Sequence, residues 1–184
     1  MKYYIAKLVF FLAGWKLETT PELTERAKNS VTVAAPHTSN QDFVFSLGAF
    51  WLMRLPLKFL IKDDYTKWYF FGFFTWLGGI GVNRSDRKNL VGYSVELLKT
   101  THYNLMLAPE GTRKKVDKWK TGFYQIAKQA EVDISLGFLD YSLKRAGLLA
   151  VLHPDDLEST LRKIEAYYAP VKGKKPENYN LKIY

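Results

Sequence analysis

The chain has 184 residues, enough for one domain with a real core, and shows no repeat at a fixed period, which argues against a solenoid. Lys and Arg number 27 against 18 Asp and Glu, a net charge of +9, with 47% hydrophobic and 16% aromatic residues. Such a balance suits an anionic partner (nucleic acid, membrane surface or small substrate), while the absence of cysteine excludes disulfides, thiolate catalysis and cysteine-ligated zinc.

Met1 to Trp15 reads as a helix, with Lys2 and Lys7 in an otherwise apolar, aromatic surface. It is shorter than the roughly 20 apolar residues of a bilayer span, and Ala13-Gly14-Trp15 sets a large ring where a signal-peptide cleavage site wants small residues. Two readings fit residues 1–16. One is an amphipathic interfacial helix with lysines among lipid phosphates; the other is a helix packed on its own domain. Thr20 and Pro21 open a short helix to Asn29, and Val31 to Ala35 reads as the first strand.

Pro36-His37-Thr38-Ser39-Asn40-Gln41-Asp42 follows directly. On an unbroken helix His37 and Asp42 would diverge by about 140°, so a loop must intervene for them to meet. Thr38, Ser39 and Asn40 are good N-cap residues, which predicts a strand, a loop holding His37, and a helix whose first turn holds Asp42. There the carboxylate accepts the imidazole N–H, fixes the tautomer, and leaves the other nitrogen as a general base. The alternative is a loop histidine beside an aspartate that merely complements the helix dipole.

The helix from Asp42 to Met53 has almost no polar face, so it is buried or lies against lipid. Leu57 to Ile61 is the second predicted strand. Trp68 to Val82 carries no charge and reads as a short helix to about Leu77, a glycine turn and a third strand at Ile80 to Asn83. This stretch either walls a tunnel for an apolar chain or is ordinary core. A helix from Asp86 to Lys99 follows Arg84. The fourth strand, Tyr103 to Ala108, ends in Pro109-Glu110-Gly111-Thr112-Arg113, then a basic loop (Lys114, Lys115, Lys118, Lys120) leads into a helix from Gly122 to Ala130. Val132 to Tyr141 and Arg145 to Leu152 read as a hairpin, a last helix runs to about Tyr168, and residues 171–184 read as an exposed basic tail.

Strands alternating with helices predict a single α/β domain with a largely parallel central sheet flanked by helices, its strand-end loops gathered into one site. His37, Arg84 and Glu110 to Arg113 all follow predicted strands directly. If the first, third and fourth strands are neighbours, one sheet edge carries a base, an anion-binding arginine and a glycine turn.

These residues resemble the motifs of the glycerolipid acyltransferase family, the enzymes that acylate glycerol phosphate and 1-acylglycerol-3-phosphate. The first block is His37 to Asp42, and the second resembles Gly79 to Arg84. The third is Pro109 to Arg113, matched residue for residue. The fourth is the strand Ile134 to Phe138, here without the usual proline. The resemblance spans residues 30 to 140. It implies a glycerol-3-phosphate acyltransferase-like fold with an N-terminal interfacial helix and a catalytic core over 30–152. It also implies that His37 deprotonates an acceptor hydroxyl while Asp42 holds its ring. Arg84 and Arg113 would bind the acceptor's phosphate, and Glu110 the acceptor's hydroxyl or one of those arginines. The Gly111 and Thr112 amides would form an oxyanion hole.

The implied partners are a lysophospholipid acceptor, acyl-CoA or acyl carrier protein as donor, and an anionic membrane surface. The implied location is cytoplasmic and peripheral, with no bound cofactor and no metal. No nucleic-acid motif is present, and His102 and His153 share no ligand-like spacing with His37. Two alternatives remain: the same chemistry on another lysolipid or an amino-lipid precursor, or a non-catalytic membrane-surface lipid-binding protein.

Overall fold

The computed structural model describes residues 1–83, 87–180 and 182–184. Its strands are β1 (Lys16–Glu18), β2 (Val31–Ala35), β3 (Leu57–Lys62), β4 (Gly79–Val82), β5 (Asn104–Leu107), β6 (Ile134–Asp140) and β7 (Arg145–Leu152). They form a seven-stranded sheet in the order β1-β7-β6-β2-β5-β3-β4. All pairings are parallel except β6 with β7, a hairpin whose turn is closed by Asp140 Oδ1 accepting from the N–H groups of Ser142 (2.8 Å) and Leu143 (3.0 Å).

The helices are α1 (Lys2–Ala13), α2 (Pro21–Arg26), α3 (Gln41–Met53), α4 (Phe73–Leu77), α5 (Arg87–Thr100), α6 (Gly122–Ala130) and α7 (Leu157–Tyr168). Because successive strand residues face opposite ways, β2 and β6 feed two cores. Val31, Val33, Ile134 and Leu136 pack on one face against Leu98, Phe123 and Ile164 of α5, α6 and α7. Leu57, Phe59, Leu139 and Leu148 pack on the other against Phe10 of α1 and Leu47 and Phe50 of α3. The polar residues on this second face bond to one another, although Asn104 Oδ1 is left buried without a partner. The Thr32 and Ser135 hydroxyls lie 2.7 Å apart, those of Ser30 and Ser135 2.8 Å, and Asn104 Nδ2 donates to Ser30 Oγ at 3.0 Å. That chain of bonds ties β5, β2 and β6 into neighbours. From the opposite face the buried Tyr168 hydroxyl reaches the carbonyls of Val33 and Gly137, at 2.9 and 2.8 Å, fixing α7 across the β2–β6 seam.

α1 fits both readings of its sequence in part. Ala6 and Phe10 are buried, and Phe10 lies so close to Gly48 that a Cβ there would come within 2.6 Å of its ring. Tyr4, Leu8, Phe11 and Leu12 are exposed. Among the described residues no helix is long and apolar enough to cross a membrane.

Three expectations change. β1 was not anticipated: its three residues are all exposed and carry no apolar alternation, and only the edge of β7 makes them a strand. Residues 63–77 form two 3₁₀ turns and the short α4, and the uncharged stretch from Trp68 to Val82 divides: Trp68, Phe71 and Phe73 are exposed, Leu77 belongs to the core with Phe74 packed against it, and Val82 lines the cavity described below. The tail is exposed only in part, at its lysines and at Pro176, Glu177 and Tyr184 among the described residues. Val171, Tyr179 and Ile183 are buried beside α7, and the Ile183 carbonyl accepts from Trp119 N–H at 3.0 Å.

Candidate active site

β2 delivers His37 at its carboxyl end, and α3 begins four residues later with Asp42 in its first turn. Asp42 is 3% exposed and nevertheless surrounded by donors. Its Oδ2 accepts from Thr38 N–H at 2.7 Å and Ser39 N–H at 2.8 Å and lies 3.3 Å from His37 Nδ1, while Oδ1 accepts from the Tyr141 hydroxyl at 2.8 Å. Burial by itself would push Asp42 up. The bonds from His37, Ser39, Tyr141 and Thr38 together outweigh burial and hold the carboxyl below its ordinary range. An ionised Asp42 can only accept, so Nδ1 carries the imidazole proton and the Nε2 lone pair is left able to accept one. The 3.3 Å separation is long for such a bond.

The loop is held from behind by two further elements. Glu110, 5% exposed, accepts from His37 N–H through Oε2 at 2.9 Å. Burial raises its pKa to about 7, against weaker opposing effects of that bond and of the His37 ring. Glu110, expected from sequence at the acceptor, has its carboxylate on the His37 backbone and is not among the residues that line the cavity described next. The tail straps the other side, with Lys175 N–H donating to Thr38 Oγ1 at 3.2 Å and the Lys172 carbonyl accepting from Tyr141 N–H at 2.9 Å.

A cavity of about 840 Å³ opens in front of His37, across the carboxyl ends of β2, β5 and β3. Phe43, Phe59, Ile61, Met106 and Phe138 supply apolar lining, and Gly111, Thr112, Arg113 and Lys120 supply polar lining. A mixed surface of this kind suits a ligand with an apolar chain and an anionic head. The Arg113 guanidinium donates to Asn40 Oδ1, joining the two loops. Gly111 takes φ +67°, and its N–H donates to the Ala108 carbonyl at 3.0 Å, closing the turn. That amide is therefore not free for an oxyanion; of the two named from sequence, only Thr112 N–H lacks a backbone partner among the described residues.

The strand order meets the sequence condition only in part. β2 and β5 are adjacent, so His37 and Glu110 to Arg113 converge; β3 intervenes between β5 and β4, and Arg84 lies outside the described residues. Among the described residues no three of His, Asp and Glu gather into a metal-binding set.

Sequence reasoning missed Tyr141 and the strap. Tyr141 ends a predicted strand, but its meeting with Asp42 depends on the pairing of Ala35 with Phe138, which no local signal announces. Burial and the bond to Asp42 raise its hydroxyl pKa above the ordinary tyrosine value, keeping it a neutral donor. Trp15, at the end of α1, packs edge-on against the Tyr141 ring at 4.9 Å.

A family model described as Acyltransferase matches residues 16–136. Among solved structures, the fold is similar to the crystal structure of the 1-acyl-sn-glycerophosphate (LPA) acyltransferase PlsC from Thermotoga maritima. The TM-score is 0.64 and the identity 19%, with 92% of this chain and 75% of that chain covered. At that identity the likeness carries the fold. No curated protein sequence matches.

Proposed function

The chain belongs to the acyltransferase family, and from that premise we propose that it moves a fatty acyl group from an acyl thioester to the hydroxyl of a lysophospholipid, in the first place 1-acylglycerol-3-phosphate. The observation that carries this reading is the buried Asp42 facing His37 Nδ1 at the mouth of a half-apolar cavity. His37 Nε2 takes the acceptor's hydroxyl proton as the oxygen attacks the thioester carbonyl. The C–S bond then breaks, and the thiolate leaves with the proton returned by the imidazolium. Asp42 stabilises that imidazolium and keeps the ring oriented. No step needs a covalent acyl-enzyme, in keeping with a chain without cysteine.

Arg113, beside Lys120 in the cavity lining, binds the acceptor's phosphate, and Arg84 completes that role. The apolar lining receives the acyl chain. Donors are acyl-CoA or acyl carrier protein, the basic loop from Lys114 to Lys120 meeting the donor's phosphates. The exposed apolar side of α1 lies on an anionic membrane at its cytoplasmic face.

The test is acyl transfer by the purified chain from each donor to a panel of lysolipid acceptors, with products identified by mass spectrometry. General-base catalysis is typically worth about 10²–10⁴-fold, so His37→Ala is expected to lose activity on that scale. Activity retained in that variant would sink the assignment, and transfer to a different head group would replace the acceptor.

A further inference from the structure

The tail from Val171 is irregular chain with one 3₁₀ turn, Pro176–Asn178. Chain without helix or strand must find partners for its backbone elsewhere, and here it finds them on the loops of the site. The Lys172 carbonyl accepts from Tyr141 N–H at 2.9 Å, Lys174 Nζ donates to Gln41 Oε1 at 2.5 Å, and Lys175 N–H donates to Thr38 Oγ1 at 3.2 Å. Further on, Asn180 Nδ2 donates to the carbonyls of Val116 at 3.0 Å and Asp117 at 3.2 Å. The tail therefore touches both the His37 loop and the basic loop that ends at Lys120, and each of these lines the cavity.

Val171, Tyr179 and Ile183 account for the apolar burial of the tail. Between them Lys172, Lys174 and Lys175 are exposed and only Gly173 is buried, so what residues 172–175 contribute is contact with the loop. A Cβ at Gly173 would come within 3.0 Å of Thr38 Oγ1 and 3.1 Å of both Thr38 Cγ2 and Pro36 Cβ, inside ordinary van der Waals contact. The φ of Gly173 lies outside the left-handed region, so glycine is needed there for space. Pro36 and Thr38 flank His37, and the tail bears on both. Thr38 joins two contacts: it is 3% exposed, its hydroxyl accepts from the tail, and its N–H donates to Asp42 Oδ2 at 2.7 Å. A shift of Thr38 moves a donor of the carboxylate that faces His37 Nδ1. Tyr141, the donor to Asp42 Oδ1, is held by the tail through its own N–H.

We propose that Gly173 and Thr38 are positioning residues, through which the tail seats the Thr38 N–H on Asp42 and so fixes the His37 ring. Misplacing reacting groups by about 1 Å costs up to about 10²-fold in rate, so a contact behind the loop reaches the chemistry in front of it. The effect on turnover rests on the acyl-transfer reading, whereas the effect on the imidazole does not.

The experiment compares the full chain as wild type, Thr38→Val, Thr38→Ser and Gly173→Ala. Valine removes the hydroxyl acceptor at similar shape, and serine keeps it. Circular dichroism and urea denaturation show which variants are folded at the assay temperature. His37 is followed by nitrogen NMR of its ring across pH, and kcat and KM are measured with acyl-CoA and 1-acylglycerol-3-phosphate. Thr38→Val and Gly173→Ala are expected to lower kcat about five- to tenfold, the scale of one hydrogen bond, with KM nearly unchanged. Both are expected to move the His37 ring from the Nδ1-protonated form to a mixture of tautomers, while Thr38→Ser tracks the wild type in both readouts. Wild-type kcat and ring spectrum in a folded Thr38→Val or Gly173→Ala overturn the proposal. So does a loss confined to KM, or an equal loss in Thr38→Ser and Thr38→Val. If one of the two disruptive variants fails to fold, the other decides. The ring spectrum is read without turnover: an inactive wild type whose spectrum still changes in the variants would sink the acyl-transfer reading and support the tail's hold on His37.

Discussion

Replacing Glu110 with Gln separates what this carboxyl does for the His37 loop from what it costs the fold. Gln keeps a carbonyl oxygen able to accept the His37 N–H but carries no charge. In the folded chain burial raises Glu110 from 4.5 to about 7. The folded state therefore holds this proton more tightly than the unfolded one, and stability falls as pH rises from about 4.5 to about 7, then stays level. At about 1.4 kcal/mol per unit, ionisation of Glu110 costs the wild type roughly 3 kcal/mol above pH 7. Urea denaturation of both proteins at pH 5 and pH 8 is the assay. Glu110→Gln is expected to gain on the wild type by about 2–3 kcal/mol between the two pH values, since part of the difference has already developed at pH 5. Parallel pH profiles would refute the argument, because they would mean that Glu110 ionises as easily in the fold as out of it.

In Tyr141→Phe, Asp42 Oδ1 loses its donor while the three groups at Oδ2 remain. The Asp42 pKa is expected to rise toward the ordinary value, read by carboxyl NMR, and kcat to fall about tenfold with KM nearly unchanged, since a hydrogen bond to a charged group is worth about 1.5–3 kcal/mol. An unaltered Asp42 titration would dismiss Tyr141 as a positioning residue. The depressed Asp42 pKa also stabilises the fold above the ordinary carboxylate range and stops doing so as pH falls through its folded value; the variant is expected to lose part of that acid resistance. Phe10→Ala removes a ring that is 3% exposed and packs against Gly48, Trp15 and Phe45, at a cost of about 3–5 kcal/mol in thermal or urea unfolding; a loss under 1 kcal/mol would show α1 to be loosely attached.

Which parts of the site were legible depends on how far apart in sequence their partners lie. His37 and Asp42 meet through a loop and a helix start whose residue types announce them: the bonds from Thr38 N–H and Ser39 N–H to Asp42 span four and three residues. The turn at Gly111 is local in the same way, although its use of the Gly111 amide was not foreseen. The contact of Glu110 was not foreseen because it is set by the adjacency of β2 and β5, which brings the carboxyl to a backbone N–H 73 positions away. Tyr141, 99 positions from Asp42, and the strap at Lys175, 137 from Thr38, were invisible for the same reason. Hydrophobicity misled at residues 68–76, where apolar composition suggested an interior. The segment lies at the β4 edge of the sheet with Trp68, Phe71 and Phe73 exposed while Phe74 packs on the core, so composition alone could not tell inward rings from outward ones.

The sequence by itself determined the alternation of strands and helices, the meeting of His37 with Asp42 and the third-block turn, because capping, turn chemistry and side-chain period act between residues close in the chain. Only the tertiary structure decided the strand order, with β3 between β5 and β4 and with β1 recruited by β7. That order turned Glu110 beneath the loop, brought Tyr141 to Asp42, and left Trp68 and Phe71 facing outward. Each of these depends on contacts between segments far apart in sequence, and such contacts exist only once the sheet has assembled.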